Sequence, residues 1–244
     1  MVFSNIIDEE SMKTIVIVPA YNEAANIIDV ISELTLNNEN IDYVIIDDGS
    51  SDETRDVCKE RKLNYISLPI NLGIGGAVQA GYYFAYEMGY DIAIQLDGDG
   101  QHDPCYINSF VELIKSGNAD MVIGSRYILK EGFQSSFMRR LGISILRWVI
   151  WVRSGCLIKD VTSGFRAVNR KLMKEFALCY PIDYPEPESL VFAYSSRKYV
   201  IKEIPVVMRE RKSGKSSINP FKSVVYMIKV SLSILFCEYK RNRR

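Results

Sequence analysis

A chain of 244 residues is long enough for one large domain with a well-buried core. Its 30 Lys and Arg balance 30 Asp and Glu, so no bulk field draws it to nucleic acid, and no nucleic-acid partner is expected. Five scattered cysteines without a Cys-x-x-Cys pair argue against a disulfide framework, and a single histidine, His102, excludes a zinc site built on several imidazoles.

Residues 1–12 are polar and acidic, with no basic stretch leading into an apolar one, so no signal peptide is expected. The apolar runs fall short of the ~20 residues that a membrane span needs. Strands are predicted at Thr14–Val18, Tyr43–Ile46, Tyr65–Leu68, Ile92–Leu96 and Met121–Ile123, with helices near 24–36, 53–62, 74–89 and 106–116. Apolar strands alternating with helices imply an α/β fold, a mostly parallel sheet with helices on both faces. Beyond it, the pattern predicts a mobile loop at 126–136, an apolar helix at 137–154, a Pro/Glu stretch at 181–188 and a helix near 188–197. A strand at 199–208, a basic loop at 209–217 and an amphipathic helix at about 219–238 complete the reading. The expected division is a tail at 1–12, one catalytic domain at 13–217, and an amphipathic helix with a basic tail at 218–244.

In such sheets ligands bind outside the carboxyl ends of the strands. Four successive strand ends carry polar chemistry there: Pro19-Ala20-Tyr21-Asn22-Glu23, Asp47-Asp48-Gly49-Ser50, Asn71-Leu72-Gly73 and Asp97-Gly98-Asp99-Gly100-Gln101-His102. Asp97 and Asp99 suit Mg2+ or Mn2+, which takes a few carboxylates and completes its shell with substrate phosphates. Such a cation neutralises charge building on a departing diphosphate. Asp-Gly-Asp is also an ordinary turn sequence, and its weight comes from the buried strand before it. Ser50 and Glu53 read as a capping box, which leaves Asp48 to accept hydrogen bonds from a base or ribose.

The glycines from Gly73 to Gly76 open a helix whose free N–H groups could face phosphate, although close packing explains them equally well. Val78 stands where the dinucleotide fingerprint needs its third glycine, and Arg209 stands where a P-loop ending at Gly214-Lys215-Ser216 needs its first. Arg209 to Lys215 therefore reads as a basic loop, either clamping a diphosphate or simply solvated.

On a helical projection of 137–154, Arg139, Arg140, Arg147 and Arg153 share one sector, and Leu141, Ile145, Trp148, Val149 and Val152 lie opposite. In the last helix Phe221, Val225, Ile228, Leu232 and Leu235 form a stripe flanked by Lys222 and Lys229. Both patterns suit either lipid contact or cover for the sheet.

As an ordered set, these motifs resemble the family 2 glycosyltransferases, in the branch similar to dolichol-phosphate mannose synthase. The set continues through Gly124-Ser125-Arg126, the Asp160–Arg166 segment, and Arg211, Gly214 and Ser216. The resemblance implies a GT-A fold, a nucleotide-sugar donor, a divalent metal and inversion at the anomeric carbon. It puts the donor on Pro19, Ala20, Tyr21, Glu23, Asp48, Gly76, Asp97, Gly98 and Asp99, with Arg211 closing over the diphosphate. The metal falls on Asp97, Asp99 and Gln101. UDP is favoured over GDP from the breadth of the family.

The implied acceptor is a polyprenyl phosphate, already nucleophilic, or a lipid-linked saccharide in cell-surface glycan synthesis. A hydroxyl acceptor needs a carboxylate in reach, for which Asp160, Glu186 and Glu188 are the candidates. Peripheral contact at the cytoplasmic face of a membrane, or a small membrane-protein partner, is expected. The alternatives are a nucleotidyltransferase, which would release pyrophosphate, and a catalytically silent nucleotide- or membrane-binding module.

Overall fold

The computed structural model of the chain describes residues 12–38, 40–129, 137–209 and 220–236. Strands β1 (Thr14–Ala20), β2 (Asp42–Asp47), β3 (Tyr65–Ser67) and β4 (Ile92–Gln95) alternate with helices α1 (Ile27–Asn37), α2 (Thr54–Glu60) and α3 (Gly73–Glu87). Then follow α4 (Ile107–Lys115), β5 (Met121–Ser125), α5 (Phe137–Ser154), β6 (Arg166–Asn169), α6 (Arg170–Leu178), α7 (Pro185–Ser195), β7 (Ile201–Pro205) and α8 (Pro220–Phe236).

The sheet order is β3-β2-β1-β4-β6-β5-β7. β1 pairs in parallel with β2 and β4, β2 with β3 and β5 with β7, while β6 runs antiparallel between β4 and β5. Chain direction from β1 thus diverges to β2 on one side and β4 on the other, which opens a crevice at their carboxyl ends. β1 is buried along its whole length. Ile15 and Ile17 join one core cluster and Val16 and Val18 the other, the two-residue period of a strand covered on both faces.

Two elements were not foreseen: β6 and α6. β6 is four residues, Arg166-Ala167-Val168-Asn169, with only two apolar side chains, so it carries no strand pattern of its own. α7 begins at Pro185, three residues before the expected 188, because a proline at the first helical position loses no hydrogen bond there. The capping box at Ser50 is absent. α2 starts at Thr54, and the Ser50 hydroxyl instead accepts the Asn22 N–H at 3.0 Å.

Of the two readings of the late helices, cover for the sheet is not what most of the projected apolar residues provide. Among the described side chains of α5, Ile143, Leu146, Val149 and Ile150 are buried, while Ile145, Trp148, Trp151 and Val152 are exposed. In α8, Val230 and Ile234 enter the core, and Ile228, Leu232 and Leu235 of the expected stripe face outward with Phe236. The side chains of Arg139, Arg140, Leu141, Phe221, Lys222 and Val225 lie outside the described residues, as does most of the expected loop at 126–136. No described helix is long and apolar enough to cross a membrane.

Candidate active site

The loops after β1 and β2 are locked together. Asn22 sits at φ 57°, in the left-handed region that asparagine tolerates. From there its Oδ1 accepts the N–H groups of Ser51 at 2.8 Å and Asp52 at 3.2 Å. The Glu23 N–H donates to Thr54 Oγ1 at 2.9 Å, and Glu23 Oε2 accepts from Asn26 at 2.6 Å. Of the two adjacent acids, Asp47 is consumed by structure: it accepts from the Ser50 N–H, the Ser67 hydroxyl and Arg55. Asp48 lines the crevice, held by the Leu72 N–H on Oδ1 at 2.7 Å. Burial raises its carboxyl above the ordinary range, against the pull of the Leu72 and Gly73 N–H groups.

The crevice has a volume of about 670 Å³. Pro19, Ala20, Tyr21, Asn22 and Glu23 form one wall, Asn71, Gly73, Ile74 and Ala77 the other, and Asp48, Asp97, Gly98 and Asp99 the floor. Gly73, Ile74 and Ala77 are the part of α3 that meets this space. Gly76, expected on the donor, is buried, and a Cβ there would fall 2.5 Å from Leu72 Cβ. Packing accounts for it, as for Gly75, where a Cβ would meet the Pro181 carbonyl at 2.4 Å.

Asp97 is oriented from behind. Its Oδ1 accepts the Gln95 amide at 3.2 Å, and Oδ2 lies 3.3 Å from His102 Nε2. The His102 ring in turn rests on Phe165, with centroids 5.1 Å apart. Burial opposes the Asp97 charge, yet His102, Gln95 and Arg126 together hold its carboxyl below the usual range. Gly164 closes the back: a Cβ there would stand 3.0 Å from Asp97 Oδ2 and 3.0 Å from Gln95 Nε2. Asp99 Oδ1 accepts the Gln101 N–H at 3.1 Å.

A hard divalent cation fits this donor set. Each Asp97 oxygen spends one lone pair on its support and has a second to offer, and hard oxygen ligands suit Mg2+ or Mn2+. Among the described residues no three His, Cys, Asp or Glu side chains gather as a closed cage, so phosphate and water would complete the shell. The Gln101 side chain is tied to Arg209 through its amide nitrogen. That side-chain amide donates to the Arg209 carbonyl at 3.3 Å, and the Gln101 main-chain carbonyl accepts the Arg209 N–H at 2.9 Å, clasping the acidic turn to the segment after β7. Arg209 is fixed in turn by Glu33 at 2.6 Å and Asp103 at 2.5 Å.

The three acceptor-side acids separate. Asp160 is fully buried and gripped by Arg126, Nε to Oδ2 at 2.6 Å and Nη2 to Oδ1 at 2.7 Å. Burial opposes its charge, but Arg126 overrides this and holds the carboxyl low, which disagrees with a role as proton acceptor. Glu188 is buried and accepts the Ser233 hydroxyl of α8, so it serves the α7–α8 contact rather than the crevice. Glu186 lies two residues earlier, about 200° away around the helix. Burial and the field of Asp97 raise its carboxyl, while Arg166 and Arg126 pull it back. Arg211 lies outside the described residues.

Residues 15–176 match the model of glycosyl transferase family 2. The chain belongs to that family. Among its relatives is the polyprenol monophosphomannose synthase of Mycolicibacterium smegmatis, 26% identical over 86% of this chain and 82% of that one. The dolichol-phosphate mannosyltransferase of Pyrococcus furiosus is 31% identical over 85% of this chain and 59% of that one. The UDP-N-acetylglucosamine–dolichyl-phosphate N-acetylglucosaminyltransferase of Methanococcus voltae is 33% identical over 65% and 70%. The solved glucosyl-3-phosphoglycerate synthase of Mycobacterium tuberculosis, in complex with Mn2+, UDP and phosphoglyceric acid, superposes with a TM-score of 0.70. That match has 18% identity over 96% of this chain and 80% of that one, and shows the GT-A fold.

For this family 2 glycosyltransferase, sequence reading missed the supports rather than the floor. Gln95 and Gly164 lie behind Asp97, and Arg166 behind Glu186, from segments with no strong pattern of their own. Gln95 had a signal: a polar side chain inside an apolar strand.

Proposed function

We propose that this glycosyltransferase moves a sugar from a nucleoside diphosphate sugar, UDP favoured, to a polyprenyl phosphate, with inversion, at the cytoplasmic face of a membrane. The observation that carries the reading is the pair Asp97 and Asp99 on the floor of a crevice walled by the β1, β2 and β3 loops. The acceptor class is that named for the relatives from M. smegmatis, P. furiosus and M. voltae, and UDP is the donor named for the last.

Tyr21 and Asp48 would take the nucleoside, and Pro19, Ala20, Glu23 and Gly98 shape its bed. Asp97 and Asp99 would hold the divalent metal, with Gln101 tying their turn to Arg209. When bound, the metal supplies charge neutralisation for the leaving diphosphate. Glu186 faces the acceptor. A polyprenyl phosphate oxygen needs no general base, whereas a saccharide hydroxyl would give its proton to Glu186. Membrane contact through α5 and α8 is supported by their outward Trp148, Trp151, Leu232 and Phe236, and by Arg147, Arg153 and Lys229 on helices that carry no acid.

The test is thermal stability against UDP-, GDP- and dTDP-sugars with Mn2+ or Mg2+, repeated with EDTA and with Asp99→Ala, followed by transfer to a polyprenyl phosphate in vesicles. A ligand of the folded state at a hundredfold excess over its Kd adds about 2.7 kcal/mol. A metal-dependent rise with one nucleotide, lost in Asp99→Ala, is expected. No rise with any nucleotide on folded protein would sink the donor assignment.

A further inference from the structure

Arg166 heads the fully buried side chains by volume, and it opens β6 in register with Gln95 of β4. A guanidinium stays charged at every working pH and presents its N–H donors in a rigid planar fork. Arg166 spends that fork on neutral oxygens. Nε donates to the Ser163 carbonyl at 2.6 Å and Nη2 to the Val161 carbonyl at 3.4 Å. Nη1 donates to the Glu186 carbonyl at 2.7 Å and the Ser189 hydroxyl at 2.9 Å. No carboxylate pairs with it among the described residues.

A buried cation satisfied in this way joins segments rather than charges. One arm holds the 161–163 loop, whose next residue, Gly164, backs Asp97. The other holds the first turn of α7, which carries Glu186.

We propose that Arg166 is a positioning residue for sugar transfer: its fork ties the first turn of α7, which carries Glu186, to the 161–163 loop, which runs into Gly164 behind Asp97. This rests on the glycosyl-transfer reading above. Lysine retains the charge, but a single ammonium on a flexible stem cannot reproduce the planar fork to both segments.

The experiment compares wild type, Arg166→Lys, Glu186→Gln and the double variant. It reads amide exchange at 161–164 and 185–189, Mn2+-dependent UDP binding, and kcat/KM for a polyprenyl phosphate. Arg166→Lys is expected to speed exchange in both segments together and leave UDP affinity within about twofold. It should also lower kcat/KM for the polyprenyl phosphate by about three- to tenfold, no more than Glu186→Gln does. Acting through Glu186, its loss should not add to that of Glu186→Gln. Full rescue by lysine, faster exchange in one segment only, additive losses, or an equal fall in UDP affinity overturns the proposal. Should Arg166→Lys not fold, Ser189→Ala removes one acceptor of the fork; unchanged exchange and kinetics there overturn it. Wild-type protein that binds UDP but moves no sugar to any acceptor overturns the transfer reading, and exchange alone then judges the clamp.

Discussion

Arg126 and Asp160 meet fork to fork, at 2.6 and 2.7 Å, with the Asp160 side chain wholly buried and that of Arg126 nearly so. The Arg126 N–H adds a third bond to Asp160 Oδ2 at 3.1 Å, and Arg126 Nη2 also reaches Thr162 Oγ1 at 2.8 Å. The pair pins the end of β5 to the segment that runs into Gly164 and Arg166.

Breaking that pair from one side strands a buried charge. Arg126→Met is expected to cost about 3–5 kcal/mol in urea unfolding. The Asp160 pKa is lowered on folding, so its contribution is fully present above the ordinary Asp value and fades as pH falls through the lower folded value. Stability measured from pH 7 down to pH 2 should therefore fall more steeply in wild type than in the doubly apolar Arg126→Met/Asp160→Leu. Equal slopes would show that the pair adds no pH-dependent stability.

Gly164→Ala tests the support of the acidic floor. Its Cβ would press on Asp97 Oδ2 and Gln95 Nε2 at 3.0 Å each, so the carboxylate must shift. Disturbing the groups that support a metal-binding carboxylate weakens metal binding by about 10–100-fold. Calorimetric titration of Mn2+ with UDP should show that loss, while UDP without metal binds as in wild type. An unchanged Mn2+ affinity would remove Gly164 from the site.

Glu186 and Glu188 should part in kinetics. With a saccharide acceptor, Glu186→Gln is expected to lower kcat by about 10²–10⁴-fold, and with a polyprenyl phosphate by less than about tenfold, because that oxygen is already ionised. Glu188→Gln should leave kcat near wild type with either acceptor and change only thermal stability, since its partner is Ser233 on α8. A larger kinetic loss for Glu188→Gln would reverse the assignment.

Trp148→Ser combined with Leu232→Ser should leave the melting temperature nearly unchanged, since both side chains are about half or more exposed, at 62% and 48%. Losing that much apolar contact should lower partition onto vesicles rich in anionic lipid by about tenfold or more. Equal flotation of variant and wild type would take these faces off the membrane.

Much of the acidic floor was legible because it depends on local pattern. In a parallel sheet every strand must end on the same edge, so apolar runs followed by acids and glycines bring Glu23, Asp48, Asp97 and Asp99 toward one crevice whatever the details between them. The same logic could not rank neighbours. Asp47 and Asp48 look alike in sequence, and only Ser67 and Arg55 reveal which one is consumed by structure.

Sequence alone thus determined the alternation of strands and helices, the sheet edge on which the acids gather and the family. Tertiary structure decided the antiparallel entry of β6, the pairing of Asp160 with Arg126 across 34 residues, the turning of Glu188 toward α8, and the outward faces of α5 and α8. The physical reason is the range of the interaction. A strand's period and a turn's glycine act within a few residues, whereas a buried carboxylate takes its role from whichever partner the fold delivers to it.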